Sequence, residues 1–266
     1  MILGLTDISA LRVGSSEVSK VYLGATEIWS SAFNPISLSP TIWLDASDSA
    51  TLFDATSGGS AVGPDGAIAR WEDKSGGGNH ATQSTSGNRP IRKVANQNGL
   101  DAVRFAGAGD EMALPDFLTG TAGTVVFAAK SDADPNASPD AGAPIGGWAS
   151  ASLTNHTPWV DSTIYFSYGT NSRRTVGNPS RSLALWNVYT VESHASGWSF
   201  RINGTEIYSD GSNTVGWGSA PVIGAGASAS QYFLGEVGEI INIPRSLTTD
   251  ERSAIESYAI TKWGIS

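Results

Sequence analysis

Hydrophobic and polar positions alternate along Trp198–Tyr208: Trp198, Phe200 and Ile202 fall on one side, Ser199 and Arg201 on the other. A period of two is that of a half-buried β-strand. Asn203-Gly204 breaks the run, and this pair suits the two positive-φ positions of a type I′ turn, so the segment is predicted to be a β-hairpin. Apolar runs predict further strands at Ile42–Leu44, Ala102–Phe105, Thr124–Ala129, Thr163–Tyr168 and Leu185–Val191, with Gly/Ser-rich loops such as Thr56–Gly66 between them. One segment stands out with helical spacing: Ala254, Ile255, Tyr258 and Ala259. Thr248 and Glu251 before it have the capping-box spacing, and Gly264 after it is a stop signal. Strands closed by one short helix predict a sandwich with a lid, not an α/β layer fold.

The first thirty residues hold a small repeat. Val13-Gly14-Ser15-Ser16-Glu17-Val18 is echoed by Leu23-Gly24-Ala25-Thr26-Glu27-Ile28, each a strand–turn–strand pattern. Two hairpins of about 20 residues bury little surface alone, so they pack on the main domain or on another protein. Residues 30–40, with Asn34-Pro35 and Ser39-Pro40, read as a short linker. The chain thus divides into a docking segment, 1–33, and a main domain, 34–266.

At 266 residues the chain buries a full-sized core. Its 31 Gly and 15% charged residues suit short strands joined by tight turns. The net charge is −9, and no basic block exceeds Arg173-Arg174, which speaks against nucleic acid as a partner. Cysteine is absent, so disulfides, thiolate metal sites and a Cys nucleophile are excluded. The absence leans toward a bacterial or viral product assembled in a reducing cytoplasm. Met1–Asp7 lacks a signal-peptide pattern. No run approaches the ~20 apolar residues of a membrane helix, so no membrane insertion is expected.

Several segments together resemble a known family. Trp43-Leu44-Asp45-Ala46-Ser47-Asp48, Trp71–Gly76 with Asn79–Thr82, Val103–Gly107, and Gly235–Ile241 leading to a helix that ends Lys262-Trp263-Gly264 resemble the laminin G-like, concanavalin A-like jelly rolls of bacterial and bacteriophage proteins. Tyr22–Trp29 is similar to a segment at the front of phage structural proteins. The resemblance implies an all-β, two-sheet antiparallel jelly-roll sandwich with a short C-terminal helix and an N-terminal β-hairpin segment. It also implies a fold often stabilised by calcium, which binds glycans or proteins through loops or a concave face. The phage-like segment implies a virion-surface setting, with residues 1–33 joined to other virion proteins.

Catalysis finds little support in the sequence. A retaining glycosidase needs two carboxylates about 5–5.5 Å apart, which on one strand calls for acids two or four residues apart. The Glu-x-Asp-x-x-Glu run of the fold's glucanases is missing, and Glu236 and Glu239, three apart, are expected on opposite faces. There is no Gly-x-Ser-x-Gly elbow, and His80, His156 and His194 fall at no metal spacing. His156 and His194 read as surface residues at strand edges.

Calcium has a candidate loop in Asp132, Asp134, Asn136 and Asp140, because Ca²⁺ takes six to eight oxygen ligands. The plainer reading is a solvated, Pro-rich loop. Glycan candidates come from three loops, Trp148–Trp159, Tyr168–Arg174 and Asn213–Trp217, because sugar rings stack on flat aromatic faces while polar groups bond their hydroxyls. They are Trp148, Asn155, Trp159, Tyr168, Asn171, Arg173 and Trp217. Trp148, Trp159 and Trp217 fit core and platform equally, whereas Trp43, Trp71, Trp186 and Trp198 lie in strand patterns and are expected in the core. The expectation is a non-enzymatic fibre, spike or decoration protein that binds cell-surface polysaccharide, with a homo-oligomer supplying avidity. A structural cement protein and a polysaccharide-degrading enzyme are the alternatives. Two carboxylates meeting across a cleft would favour the enzyme.

Overall fold

A computed structural model describes residues 33–266 apart from 108, 139–140, 151–152 and 227–230, together with the backbone of four strands before residue 31. In chain order the strands are β1 (Leu11–Val13), β2 (Ser16–Val18), β3 (Lys20–Leu23), β4 (Thr26–Ser30), β5 (Ile42–Asp45), β6 (Leu52–Phe53), β7 (Arg70–Trp71), β8 (Ala81–Thr82), β9 (Ile91–Gln97) and β10 (Leu100–Ala106). They continue with β11 (Met112–Ala113), β12 (Ala122–Ser131), β13 (Ile145–Gly146), β14 (Ile164–Phe166), β15 (Arg174–Gly177), β16 (Asn187–His194), β17 (Gly197–Ile202), β18 (Thr205–Asp210), β19 (Val222–Ile223) and β20 (Leu234–Ile243). One helix, α1 (Thr249–Lys262), follows.

The architecture is the expected antiparallel two-sheet sandwich. The large sheet runs β18-β17-β16-β12-β20-β10-β9, and the second β13-β19-β11-β8-β7-β6. β20 is the axis of the large sheet. β12 lies along one side of it, while β10 pairs with Leu234–Val237 and β5 with Glu239–Asn242 on the other. Alternation sorts the side chains of β12: Val125, Phe127 and Ala129 face the core between the sheets, and Val126 and Ala128 face a second apolar layer under α1. That layer is closed by Trp263, stacked on Trp186 with ring centroids 5.4 Å apart.

The predicted hairpin is β17–β18, with Asn203 at φ 49° and Gly204 at φ 78°. Thr248 and Glu251 form both reciprocal bonds of a capping box, and Gly264 follows the helix at φ 58°. β1 pairs with β2 and β3 with β4; what this segment packs on lies outside the described residues. The stretch after residue 33 is no free linker. Leu38 is buried, and Phe33 packs against Tyr258, because the helix leaves an apolar edge for them to cover.

Local alternation fails at one place in β20. Ala128 pairs with Glu239 but Ala129 with Val237, so Gly238 is an extra residue in a β-bulge. The bulge resets the alternation: Val237 and Ile240 both enter the inter-sheet core. Glu236 and Glu239 consequently share the outer face, which corrects the opposite-face expectation drawn from their spacing. A Cβ on Gly238 would meet the Trp263 ring at 2.5 Å, so the glycine also makes room for the indole.

Candidate functional site

The three predicted glycan loops meet at one end of the sandwich. The Ser150 amide donates to both Thr170 O at 3.2 Å and Gly216 O at 3.1 Å, which ties the loops at a single point. Gly169 N donates to Trp148 O, and Asn171 N to Thr214 O. Strands β14 and β15 hold the second loop between them.

Within this confluence the predicted side chains divide. Trp148 is buried, packs edge-on against Phe117, and donates its indole N–H to Val222 O. Asn155 is buried and fully engaged, donating to Ile145 O and Ser167 O and accepting from Ser167. Tyr168 is buried and donates to Asn242 Oδ1 at 2.6 Å. These three are core residues rather than contact residues, because each polar tip finds a partner inside. Arg173 and Asn171 are exposed, and Trp159 and Trp217 are half-buried. Trp217 rests its ring on Tyr168 and donates to Gly120 O. Trp159 meets His156 and Tyr165 edge-on, and the Arg173 guanidinium lies 4.9 Å above the Tyr165 ring.

Tyr165 is absent from the sequence-level candidates, yet period-two spacing marks it, since Ile164 and Phe166 on either side are buried. His156 is buried, not at the surface, because it bridges to Tyr165; its Nδ1 lies 2.6 Å from Ala141 O. Burial, helped by the Arg173 charge, pushes it below the usual histidine range despite the Ala141 contact.

Near the loop end, the outer face of β16–β18 and the flank of α1 enclose an open, mostly polar cleft of about 220 Å³. Glu192 and His194 come from β16, Ser199 from β17, Glu206, Ser209 and Asp210 from β18, and Arg252 from the helix. Register explains the gathering: Glu192 pairs with Ser199, and Ser199 with Ser209, so one outward row crosses three strands. The sequence candidates contain none of these residues.

A second pair of carboxylates is closed off. Asp45 and Glu239 are cross-strand partners on the outer face, and Lys262 Nζ stands 2.7 Å from Asp45 and 3.0 Å from Glu239. Glu239 also accepts from the indoles of Trp43 and Trp263 and from the Tyr258 hydroxyl, while Asp45 accepts from Lys74. Both carboxylates are buried and every close position is taken by protein. The arrangement clamps the helix end to the sheet and has no room for a substrate.

Three of the four calcium candidates have partners within the protein. Both oxygens of Asp132 pair with Arg104, Asp134 Oδ2 accepts from Leu183 N, and Asn136 donates to Pro158 O. Asp140 lies outside the described residues. Among the described residues no three acidic or histidine side chains are grouped to hold a metal ion, and no helix is long and apolar enough to cross a membrane.

No protein-family model and no curated protein matches the chain. Solved structures do. An arabinofuranosidase complexed with arabinofuranosyl-α-1,2-xylobiose aligns with a TM-score of 0.61 at 15% identity, covering 87% of this chain and 65% of that one. The receptor-binding domain of botulinum neurotoxin mosaic serotype C/D aligns at 0.58 and 14% identity, covering 86% and 54%. Trypanosoma rangeli sialidase in complex with a covalent-intermediate sugar aligns at 0.54 and 15%, covering 92% and 36%. The chain thus spans less than two thirds of each of these proteins. None of the three is a phage protein or described as laminin G-like.

These likenesses share the fold and correct one expectation, that of a chain without catalysis: two of the three are glycosidases. The sequence-based objection considered acids on one strand only. Folding brings carboxylates of different strands to one face, as at Glu192 and Glu206.

Proposed function

We infer that this chain is a carbohydrate-recognising β-sandwich that meets a polysaccharide at the loop end, with Trp217, Trp159, Tyr165, Asn171 and Arg173 as contact residues. The observation that carries this reading is the tie at Ser150, which gathers three separate loops. Half-buried aromatic rings beside exposed amide and guanidinium groups suit sugar recognition. The sugar-acting and receptor-binding proteins of the same fold support it by analogy.

The test is a glycan array probed with the full chain and with Trp217→Ala, Trp159→Ala and Arg173→Ala. Binding of one sugar class by the wild type, lost in these variants while they stay folded, is the expected result. A folded wild type that binds nothing would sink the reading.

A second reading, glycoside hydrolysis, is favoured by Glu192 and Glu206 lining one cleft, since glycosidases flank the bond with two carboxyl groups. Reducing-sugar release from glycans bound on the array, abolished by Glu192→Gln, would establish it. The resemblance of Tyr22–Trp29 supports a virion-surface setting with residues 1–33 docked on other virion proteins. Several copies would then raise avidity without new contacts; light scattering on the purified chain tests the oligomer.

A further inference from the structure

We propose that the cleft between β16–β18 and α1 is a subsite for a single neutral sugar residue, distinct from the loop-end platform; this rests on the carbohydrate reading above. Its volume, about 220 Å³, falls below the roughly 300–1,000 Å³ of pockets for larger ligands, so it seats one sugar ring.

The carboxylates of the cleft are loosely held. Glu192 faces Arg252 at 3.5 Å and His194 at 3.7 Å. Glu206 faces Arg201 at 3.6 Å, and Asp210 faces Arg174 at 3.3 Å. Each carboxylate has a guanidinium within reach, with Arg201 shared between Glu206 and, at 3.0 Å, Glu256, so the cleft holds no surplus positive charge for an anionic sugar. Charge-assisted N–H···O bonds ordinarily close to about 2.7–2.9 Å. Ion pairs elsewhere in the molecule do so, at 2.6 Å for Arg92–Asp101 and 2.7 Å for Lys262–Asp45.

Glu192 is the telling residue. It is only 6% exposed, yet Arg252 and His194 stand no closer than 3.5 Å to its carboxylate. A carboxylate on a cleft wall whose contacts are this long has room to take shorter, stronger hydrogen bonds from a ligand. The hydroxyls of a sugar would supply those bonds, and the Ser199 and Ser209 hydroxyls beside it both give and accept. Gly197 makes room for the His194 ring, since a Cβ there would meet His194 Cε1 at 3.0 Å.

The experiment is a titration of the isotope-labelled full chain with L-arabinose, D-galactose and D-glucose, followed by amide chemical shifts, with N-acetylneuraminic acid as the anionic comparison. One neutral sugar is expected to shift the amides of Glu192–Ser199 and Ser209–Asp210 with millimolar affinity. Ser199→Trp fills the cleft from the sheet face and Glu192→Gln keeps its shape. Each is expected to weaken that response by about tenfold or more, whereas Trp217→Ala leaves it unchanged. The subsite is overturned if no neutral sugar perturbs the cleft, if the response survives Ser199→Trp, or if the anionic sugar binds better. Array binding lost through Trp217→Ala would still stand in those cases, so the platform and the subsite fail separately.

Discussion

Asp45 and Glu239 face each other across neighbouring antiparallel strands and share one cation, Lys262, at 2.7 and 3.0 Å. The lysine comes from the last turn of α1, so a single ammonium group joins the helix to two strands.

Removing that cation leaves the buried Glu239 carboxylate with neutral donors only, while Asp45 keeps Lys74. Lys262→Met is expected to lose about 3–5 kcal/mol of stability, the cost of leaving the buried Glu239 charge without its cation. The double variant Lys262→Met/Glu239→Gln recovers part of it, because that charge is gone. Urea denaturation of the three proteins measures both; equal stability of wild type and Lys262→Met would refute the clamp.

The two carboxylates titrate with opposite signs. Burial raises Asp45, but Lys262, Ser47 and Lys74 outweigh it and hold the group below its ordinary 3.8. Its contribution is present above that value and is lost as pH falls through the lowered folded value. Burial dominates at Glu239 and pushes it above its ordinary 4.5 against the pull of Lys262. There the folded state takes up the proton first, so its contribution grows as pH falls toward 4.5. The stability gap between wild type and Asp45→Asn should therefore narrow as pH drops below 3.8. The gap between wild type and Glu239→Gln should shift in favour of wild type as pH drops from neutrality toward 4.5. Denaturation curves across this range decide; slopes of the same sign would contradict the assignment.

Gly238→Ala places a methyl group 2.5 Å from the Trp263 ring. Overpacking of this kind costs about 1–3 kcal/mol. A lower midpoint of thermal unfolding with altered tryptophan fluorescence is the expected outcome, and an unchanged midpoint would mean that the helix end shifts freely.

Trp148 and Trp217, equivalent on sequence grounds, should behave differently. Trp148→Ala empties a core position and is expected to cost about 3–5 kcal/mol. Trp217→Ala removes a half-buried ring and should keep cooperative unfolding while losing glycan binding. Calorimetry beside the array separates them; a stable Trp148→Ala protein with selective loss of binding would reverse the roles.

The loop end was legible in part. Turn-rich stretches holding Trp148–Trp159, Tyr168–Arg174 and Asn213–Trp217 were recognisable as loops, and the structure gathers them. Their individual roles were not, because Trp148 and Tyr168 sit beside loop residues in sequence but inside the core in space. The cleft was invisible for a related reason: Glu192, Glu206 and Arg252 become neighbours only through the pairing of three strands and the packing of α1.

What the chain encodes locally, it encodes without help. The β17–β18 hairpin follows from alternation and Asn203-Gly204, and the ends of α1 follow from Thr248, Glu251 and Gly264, since turn and cap interactions span at most a few residues. Tertiary structure alone decided which face of each strand is covered, which tryptophans are core, and that Glu236 and Glu239 share a side. A period of two assigns residues to alternate faces, but only contacts made far along the chain choose the buried one. A single bulge such as Gly238 reverses the assignment for every residue beyond it.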